Sequence, residues 1–135
     1  MNAIVQRGVV ASCAVLALAC AASRIPKTLR GYDILVEGKD EQSGELARAM
    51  REAGFRVRRN VQGGSGPTAA LISFSFRYPA PGEPTWLHLR LADTRSGVIV
   101  GAGTILLDSL TATPRARAIA AVQALMAGDS TLSGP

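Results

Sequence analysis

The segment from residue 71 to residue 78 constrains the fold of this chain more than any other part of the sequence. Large apolar residues alternate there with small or charged ones, a two-residue period typical of a β-strand in a sheet with one covered face. A second alternating segment follows at 87–91, and residues 93–97 have the composition of a tight hairpin loop. Residues 98–107 complete the pattern as a returning strand. The sequence therefore predicts an antiparallel meander.

Two segments have the apolar spacing of amphipathic helices. Residues 41–53 follow Asp40, a residue type preferred at helix N-caps, and Gly54 is placed to end the helix. Thr113 followed by Pro114 predicts the start of a second helix. The spacing predicts that the first helix buries Leu46, Ala49, Met50 and Ala53, and that the second buries Ile119, Val122 and Met126 with Ala118 and Leu125 at their flanks.

Strands predicted at 32–37 and 55–61 complete the order of elements, which is β-α-β-β-β-β-α. One early helix, a meander and one late helix predict an α+β sandwich, in which both helices cover one face of a mostly antiparallel sheet. The globular domain is predicted to span residues 32–128. The polar residues 129–135 that follow have the composition of a disordered tail.

The first twenty residues have the organisation of a bacterial secretory signal. Arg7 is followed by an apolar run that is shorter than the ~20 residues of a membrane span and matches the core of a signal peptide. The run ends at Cys20 and resembles the lipobox of bacterial lipoproteins, although Ala17 replaces the preferred Leu, Val or Ile. Residues 1–19 are therefore predicted to be a lipoprotein signal peptide and Cys20 to carry palmitate. Ordinary signal cleavage after Ala19, which releases a soluble periplasmic or secreted protein, is the alternative, and an uncleaved anchor is a third.

The residues after the predicted cleavage point also indicate anchoring at a membrane. One of the two cysteines leaves with the signal peptide, and lipidation accounts for the odd one that remains, Cys20. Residues 20–31 are predicted to be the lipidated cysteine and its tether. Within the tether, Arg24, Lys27 and Arg30 either contact lipid phosphates or are solvated linker charges.

The net charge narrows the class of partner. The formal charge is +5 for the whole chain, and one unit less, +4, once Arg7 leaves with the signal peptide. The arginines are scattered with few aromatic residues between them, which is not the pattern of a nucleic-acid-binding surface, so no nucleic-acid partner is predicted. This positive charge favours interaction with a membrane that contains anionic lipids or with an acidic protein partner.

The residue types contain no clear motif for catalysis or cofactor binding. His88 is the only histidine, and without further histidines or a spare cysteine we predict no metal site and no cofactor. His88 itself is predicted to face solvent or the helix-free side of the sheet. Ser65, His88 and Asp93 can be combined into a Ser-His-Asp set, but most sequences allow such a choice. The chain is therefore predicted not to be an enzyme.

Three stretches are similar to small domains of bacterial envelope lipoproteins, namely residues 52–55, 71–78 and 89–100. The groups that they resemble are the curli-secretion lipoprotein family, the penicillin-binding-protein activator lipoproteins and the N-terminal domain of the propeller protein of the Tol–Pal system. The resemblance covers roughly residues 32–126 and implies a non-enzymatic accessory or assembly protein of the envelope. Ala21, in place of the aspartate associated with inner-membrane retention, implies the periplasmic face of the outer membrane.

Four residues are predicted to contact an envelope protein partner: Arg77, Trp86, Arg115 and Arg117. The last two lie at a helix start, where the helix dipole disfavours positive charge. This hypothesis of an anchored interaction module predicts an exposed sheet edge or apolar patch. The alternative is a soluble or anchored periplasmic binder or hydrolase acting on a small molecule or on cell-wall material. It predicts a concave pocket with polar groups around His88, Arg90 or Arg77.

Overall fold

The computed structural model describes residues 25–61, 66–75 and 80–128. The predicted signal peptide, the predicted lipidation site and the predicted C-terminal tail lie outside these ranges, as do Ser65 and Arg77. No helix within the described ranges is long and apolar enough to cross a bilayer.

The described elements follow one another in the predicted order. In sequence they are β1 (Asp33–Leu35), α1 (Glu41–Glu52), β2 (Arg56–Arg58), β3 (Thr68–Ser75), β4 (Thr85–Asp93), β5 (Ile99–Leu107) and α2 (Pro114–Met126). Short 3-10 turns at Lys27–Leu29 and Ser109–Thr111 precede β1 and α2. The predicted α+β class is therefore confirmed.

The described strands form one sheet in the order β2-β1-β3-β4-β5. β1 runs parallel to both of its neighbours, whereas β3, β4 and β5 form an antiparallel meander that contains most of the paired residues. β1 is thus a central strand, and Asp33–Leu35 are all buried. This position explains why the segment has apolar residues on both sides rather than an alternating pattern.

Both helices begin at the residues that the capping pattern predicts. The Asp40 carboxylate accepts a hydrogen bond from the Ser43 N–H at 2.9 Å, and the Thr113 hydroxyl accepts one from the Ala116 N–H at 3.1 Å. Gly54 follows α1 with a φ of 101°, a left-handed conformation that glycine adopts without steric cost. The predicted stripe of α1 is confirmed, with Leu46, Ala49 and Met50 buried and Ala53 packed against the core.

The buried stripe of α2 differs from the prediction. The prediction is confirmed for Val122, Ala118 and Leu125, which are buried together with Ala121, and Met126 is partly buried against the core. It is wrong for Ile119, which is exposed. Gly103 of β5 lies next to this helix, where a Cβ atom would lie 2.9 Å from the Leu125 N atom. The helix backbone therefore lies directly against β5 at this point, with Ala118 and Ala121 buried beside the larger Val122 and Leu125, and Ile119 faces the groove between the helices.

The two helices cover one side of the sheet, which we call the helix face. Leu71, Leu91 and Gly101 are paired across β3, β4 and β5 and share this face, where Leu29 and Leu125 approach Gly101. The opposite side is the open face. The alternation predicted at 71–78 is described only as far as Ser75, where the register places Leu71 and Ser73 on the helix face. The large apolar residue Ile72 lies on the open face instead of the covered one.

The domain begins earlier than predicted. Leu29 is only 2 % exposed, and its side chain lies against Gly101 of β5. Ile25 also packs against the core. The predicted tether at 20–31 is therefore wrong in its second half. Composition does not reveal this boundary, because Ile25 and Leu29 lose contact with water only when distant parts of the chain have folded against them.

Candidate functional site

The open face exposes large apolar side chains on three neighbouring strands. Ile72 on β3 is 48 % exposed, and Trp86 on β4 is 41 % exposed. Leu106 on β5 is directly opposite Trp86 in the sheet register and is exposed as well, as is Ile99 at the start of the same strand. Side chains opposite one another on one face lie within contact reach, so Trp86 and Leu106 form an apolar pair. The open face is therefore the candidate interaction surface.

Polar side chains lie between these apolar ones. His88 is two residues from Trp86 along β4, and its Nδ1 atom is 3.3 Å from the Thr104 hydroxyl of β5. The predicted position of His88 on the helix-free side is confirmed. Arg90 follows on the same face, opposite Ile72 in the register. The open face thus combines apolar area with groups that can form directional hydrogen bonds.

Trp86 is the one predicted contact residue that the structure places on this surface. Arg77 lies outside the described residues, and Arg115 and Arg117 lie at the contact between the two helices. Arg115 forms a hydrogen bond and ion pair with Glu52 and a second ion pair, at 3.5 Å, with Glu45. The hydrogen bond from Arg115 lowers the pKa of the Glu52 carboxyl, and the same bond raises the pKa of Arg115.

Arg117 also bonds within the molecule. Its Nε atom donates to the Gln42 side-chain oxygen at 2.7 Å, and the Gln42 amide donates to the Pro114 carbonyl at 3.1 Å. Its Nη1 atom donates to the carbonyl of Thr111 at 3.3 Å. These contacts give the two arginines a structural reason for their position at a helix start. A sequence signal was available, since Glu45 and Glu52 are seven residues apart and share a face of α1.

The structure holds His88 and Asp93, the two described residues of the Ser-His-Asp combination, apart. Ser65 lies outside the described residues, and His88 and Asp93 are five positions apart on one extended strand, a separation of about 17 Å. The Asp93 carboxylate instead organises the hairpin: it accepts hydrogen bonds from the Arg95 N–H at 2.8 Å and the Ser96 N–H at 3.0 Å. It also accepts one from the Tyr32 hydroxyl at 2.7 Å.

The hydrogen bonds of the Asp93 carboxylate are expected to make the stability of the fold sensitive to acid. Hydrogen bonds from Tyr32 and from the Ser96 and Arg95 N–H groups lower the pKa of Asp93 from 3.8 to about 2. The unfolded chain therefore binds more protons between these values, and stability falls as the pH drops from about 4 to about 2. Asp93→Asn is expected to flatten part of this slope, measured as urea midpoints by circular dichroism across that pH range. Glu83→Gln, which removes the same charge from an exposed turn, is the control, and an equal flattening in that variant contradicts the assignment.

A buried ion pair near the edge of the sheet was missed from the sequence. The Asp33 carboxylate on β1 lies 3.0 Å from Arg56 Nε and 2.6 Å from Arg58 Nη2, both on the neighbouring strand β2. Asp33 is buried and the Arg56 side chain is largely exposed. A buried carboxylate requires such partners, because removing its charge from water is costly. The alternating arginines of β2 were visible in the sequence, but the parallel pairing that brings them to Asp33 was not.

The described part of the molecule also contains a shallow groove between the helices, about 220 Å³ in volume. It is lined by Ala49, Glu52, Ala53, Ile119, Val122, Gln123 and Met126. Its lining is mostly apolar, so it is not the pocket of converging polar groups that the binder or hydrolase hypothesis predicts around His88 or Arg90. Within the described ranges, no group of three or more His, Cys, Asp or Glu side chains is placed to hold a metal ion.

No family model, curated protein or solved structure matches this chain. The fold and the candidate surface are therefore the guides to the class of protein. The described residues form an α+β domain with both helices on one face of the sheet and exposed apolar side chains on the other.

Proposed function

We propose that the chain is a bacterial envelope lipoprotein whose α+β domain binds another envelope protein and catalyses no reaction. Acyl chains on Cys20 hold it at the periplasmic face of the outer membrane. The observation that carries the binding role is the open face, where Ile72, Trp86 and Leu106 are exposed on neighbouring strands. Apolar area displayed in this way favours association, because contact with a partner removes it from water.

Trp86 is the expected centre of that contact. Tryptophan is enriched among the residues that contribute most to protein–protein binding, since it buries a large area and loses little conformational freedom. Leu106 lies directly opposite on β5 and extends the apolar area. His88 and Arg90 on the same strand provide hydrogen-bonding groups beside it, a combination typical of the polar surroundings of an interface centre.

The proposed anchor agrees with the way the chain enters the domain. Ile25 packs against the core only five residues after Cys20. Fully extended, five residues reach at most ~18 Å, so a domain attached by Cys20 stays next to its membrane. Its partner must then be an envelope protein that is accessible at the same surface. The resemblance to envelope lipoprotein domains supports an accessory or assembly role.

One experiment tests both parts of this proposal. A photo-crosslinking amino acid replaces Trp86 in the full chain, which is expressed in a bacterial host grown with labelled palmitate. We expect the label on the chain, its loss in Cys20→Ser, and a crosslink to one envelope protein. The same crosslinker at Gln123, an exposed position of α2 on the other side of the molecule, is the matched control and is expected to give no such product.

Several outcomes contradict the proposal. Absence of palmitate from the chain, with Cys20→Ser fractionating like the wild type, overturns the anchor. Equal crosslinking from positions 86 and 123 overturns the assignment of the open face. A product of twice the chain's mass identifies a second copy as the occupant instead of another protein. Turnover of a small molecule or of cell-wall material that is lost in His88→Ala overturns the non-catalytic role.

A further inference from the structure

Four exposed basic residues lie at the end of the sheet where the chain enters the domain. They are Lys27, Arg30, Arg56 and Arg95, and we call this surface the basic end. Lys27 and Arg30 precede β1, Arg56 begins β2, and Arg95 lies at the tip of the β4–β5 hairpin. Lys27 and Arg30 are neighbours in sequence, but Arg56 lies 26 residues after Arg30 and Arg95 a further 39 residues along, so the fold creates the surface.

Contacts between the segments confirm that they share this end. The Arg56 Nη2 atom donates to the Gly31 carbonyl at 3.4 Å, which brings the start of β2 to the segment just before β1. The hairpin is joined to the start of β3 by the Thr94 N–H, which donates to the Thr68 carbonyl at 2.9 Å. Thr68 is in turn opposite Asp33 at the start of β1.

The carboxylates nearest the basic end are already engaged within the molecule. Asp33 is buried between Arg56 and Arg58, and Asp93 holds the hairpin turn and the Tyr32 hydroxyl. Glu52, at the end of α1, pairs with arginines. Together with Arg58 and the arginines that pair with Glu52, the four exposed cations outnumber these three carboxylates, so the net charge of this end is positive.

The opposite end of the sheet exposes mainly negative charge. Exposed carboxylates lie there after β1, at the start of α1, before β4 and after β5; they are Glu37, Asp40, Glu41, Glu83 and Asp108. Lys39 is an exposed cation in the same region. The molecule is thus electrically polar along the strands, and an anionic surface attracts one end and repels the other.

The path of the chain identifies which surface the basic end faces. Ile25 enters beside Gly54, where an added Cβ would lie 3.5 Å from the Ile25 side chain, and Gly54 comes shortly before β2 at the basic end. Cys20 is five residues further back, a reach of at most ~18 Å. A bilayer that holds Cys20 therefore lies close to these four cations.

We infer that the basic end docks on anionic phospholipid headgroups of the membrane that holds Cys20. The inference rests on the proposed anchor for the identity of that membrane. Its physical basis is separate, because a negatively charged bilayer attracts each nearby Lys or Arg by about 1 kcal/mol, or about fivefold in affinity. Docking at this end leaves the open face at the side of the molecule, where a partner protein can reach Trp86.

Vesicle binding by the unlipidated protein tests the inference without the acyl chains. Residues 20–135 with Cys20→Ser, which include every described residue, are sedimented with vesicles of phosphatidylcholine alone or mixed with phosphatidylglycerol. Binding is expected only to the mixed vesicles and is expected to weaken as added salt shortens the screening length. Lys27→Gln and Arg95→Gln are each expected to weaken it about fivefold. Lys39→Gln removes one charge from the opposite end and is expected to change it less than twofold.

Each result of this experiment decides the inference. If Lys27→Gln and Lys39→Gln weaken vesicle binding equally, the attraction depends on net charge alone, and the basic end is not the docking surface. Binding to neither vesicle also overturns it and leaves an acidic protein as the ligand of this end. Circular dichroism of the variants verifies that they are folded. If the vesicles bind as expected but Cys20 carries no palmitate in cells, the proposed anchor fails and the docking surface stands.

Discussion

Leu89→Ala is expected to lower the free energy of unfolding by about 3 kcal/mol. Leu89 is 1 % exposed and lies at the middle of β4, which pairs with β3 on one side and β5 on the other and lies beneath the helices. Its neighbours across the sheet are Ser73, which is small, and Gly103, which has no side chain, so Leu89 fills the space below the helices. Truncation leaves a cavity that these neighbours cannot fill.

Urea denaturation of residues 20–135, followed by circular dichroism, measures this loss. Leu110→Ala is the matched control, because Leu110 is the same residue type at 82 % exposure, and its truncation is expected to change stability by less than about 0.5 kcal/mol. Similar losses in the two variants, or a loss below about 1 kcal/mol for Leu89→Ala, contradict the position of β4 at the centre of the core.

Gly103→Val is expected to destabilise the fold by about 3 kcal/mol, since it places atoms where the backbone of α2 lies. The Cβ atom alone would lie 2.9 Å from the Leu125 N atom and 3.2 Å from the Ala124 carbonyl carbon. Backbone atoms of a helix cannot move individually, so the whole of α2 must shift away from β5. That shift weakens the contacts of Ala121 and Val122 as well.

Gly44→Ala tests the same type of change at an open position. Gly44 lies within α1, and an added Cβ atom meets nothing within 4 Å. Alanine in a helix interior is more favourable than glycine, so this variant is expected to gain about 0.5–1 kcal/mol. Urea midpoints of the two variants should therefore move in opposite directions. A neutral Gly103→Val contradicts the close contact of α2 with β5.

Much of the fold followed from signals that lie within a few residues of one another. Asp40 with Ser43 and Thr113 with Ala116 set the helix starts, because an N-cap bond joins residues three positions apart. The loop from Asp93 was predicted for the same reason, since its carboxylate bonds to the two N–H groups that follow. Because these interactions join residues close in sequence, they can be recognised without knowledge of the rest of the fold.

The candidate site was predictable only in part. Trp86 was visible as a lone tryptophan in an alternating strand, and its exposure follows from the phase of that alternation. Arg115 and Arg117 stood out because their position at a helix start is unfavourable, but their partners on α1 depend on how two distant helices pack. The buried ion pairs of Asp33 and the burial of Leu29 were not predicted, since the residues next to them in sequence give no sign of either.

The sequence by itself determined the class of the fold, the order of its elements, the helix caps and the hairpin. It also carries the lipobox-like segment at Cys20, on which the proposed anchor depends. The tertiary structure decided which side of β3 the helices cover, why Ile119 faces outward, and that Leu29 belongs to the core. It also gathered Lys27, Arg56 and Arg95 at one end. These features depend on strand register and on the close contact of α2 with Gly103, which join residues far apart in the chain.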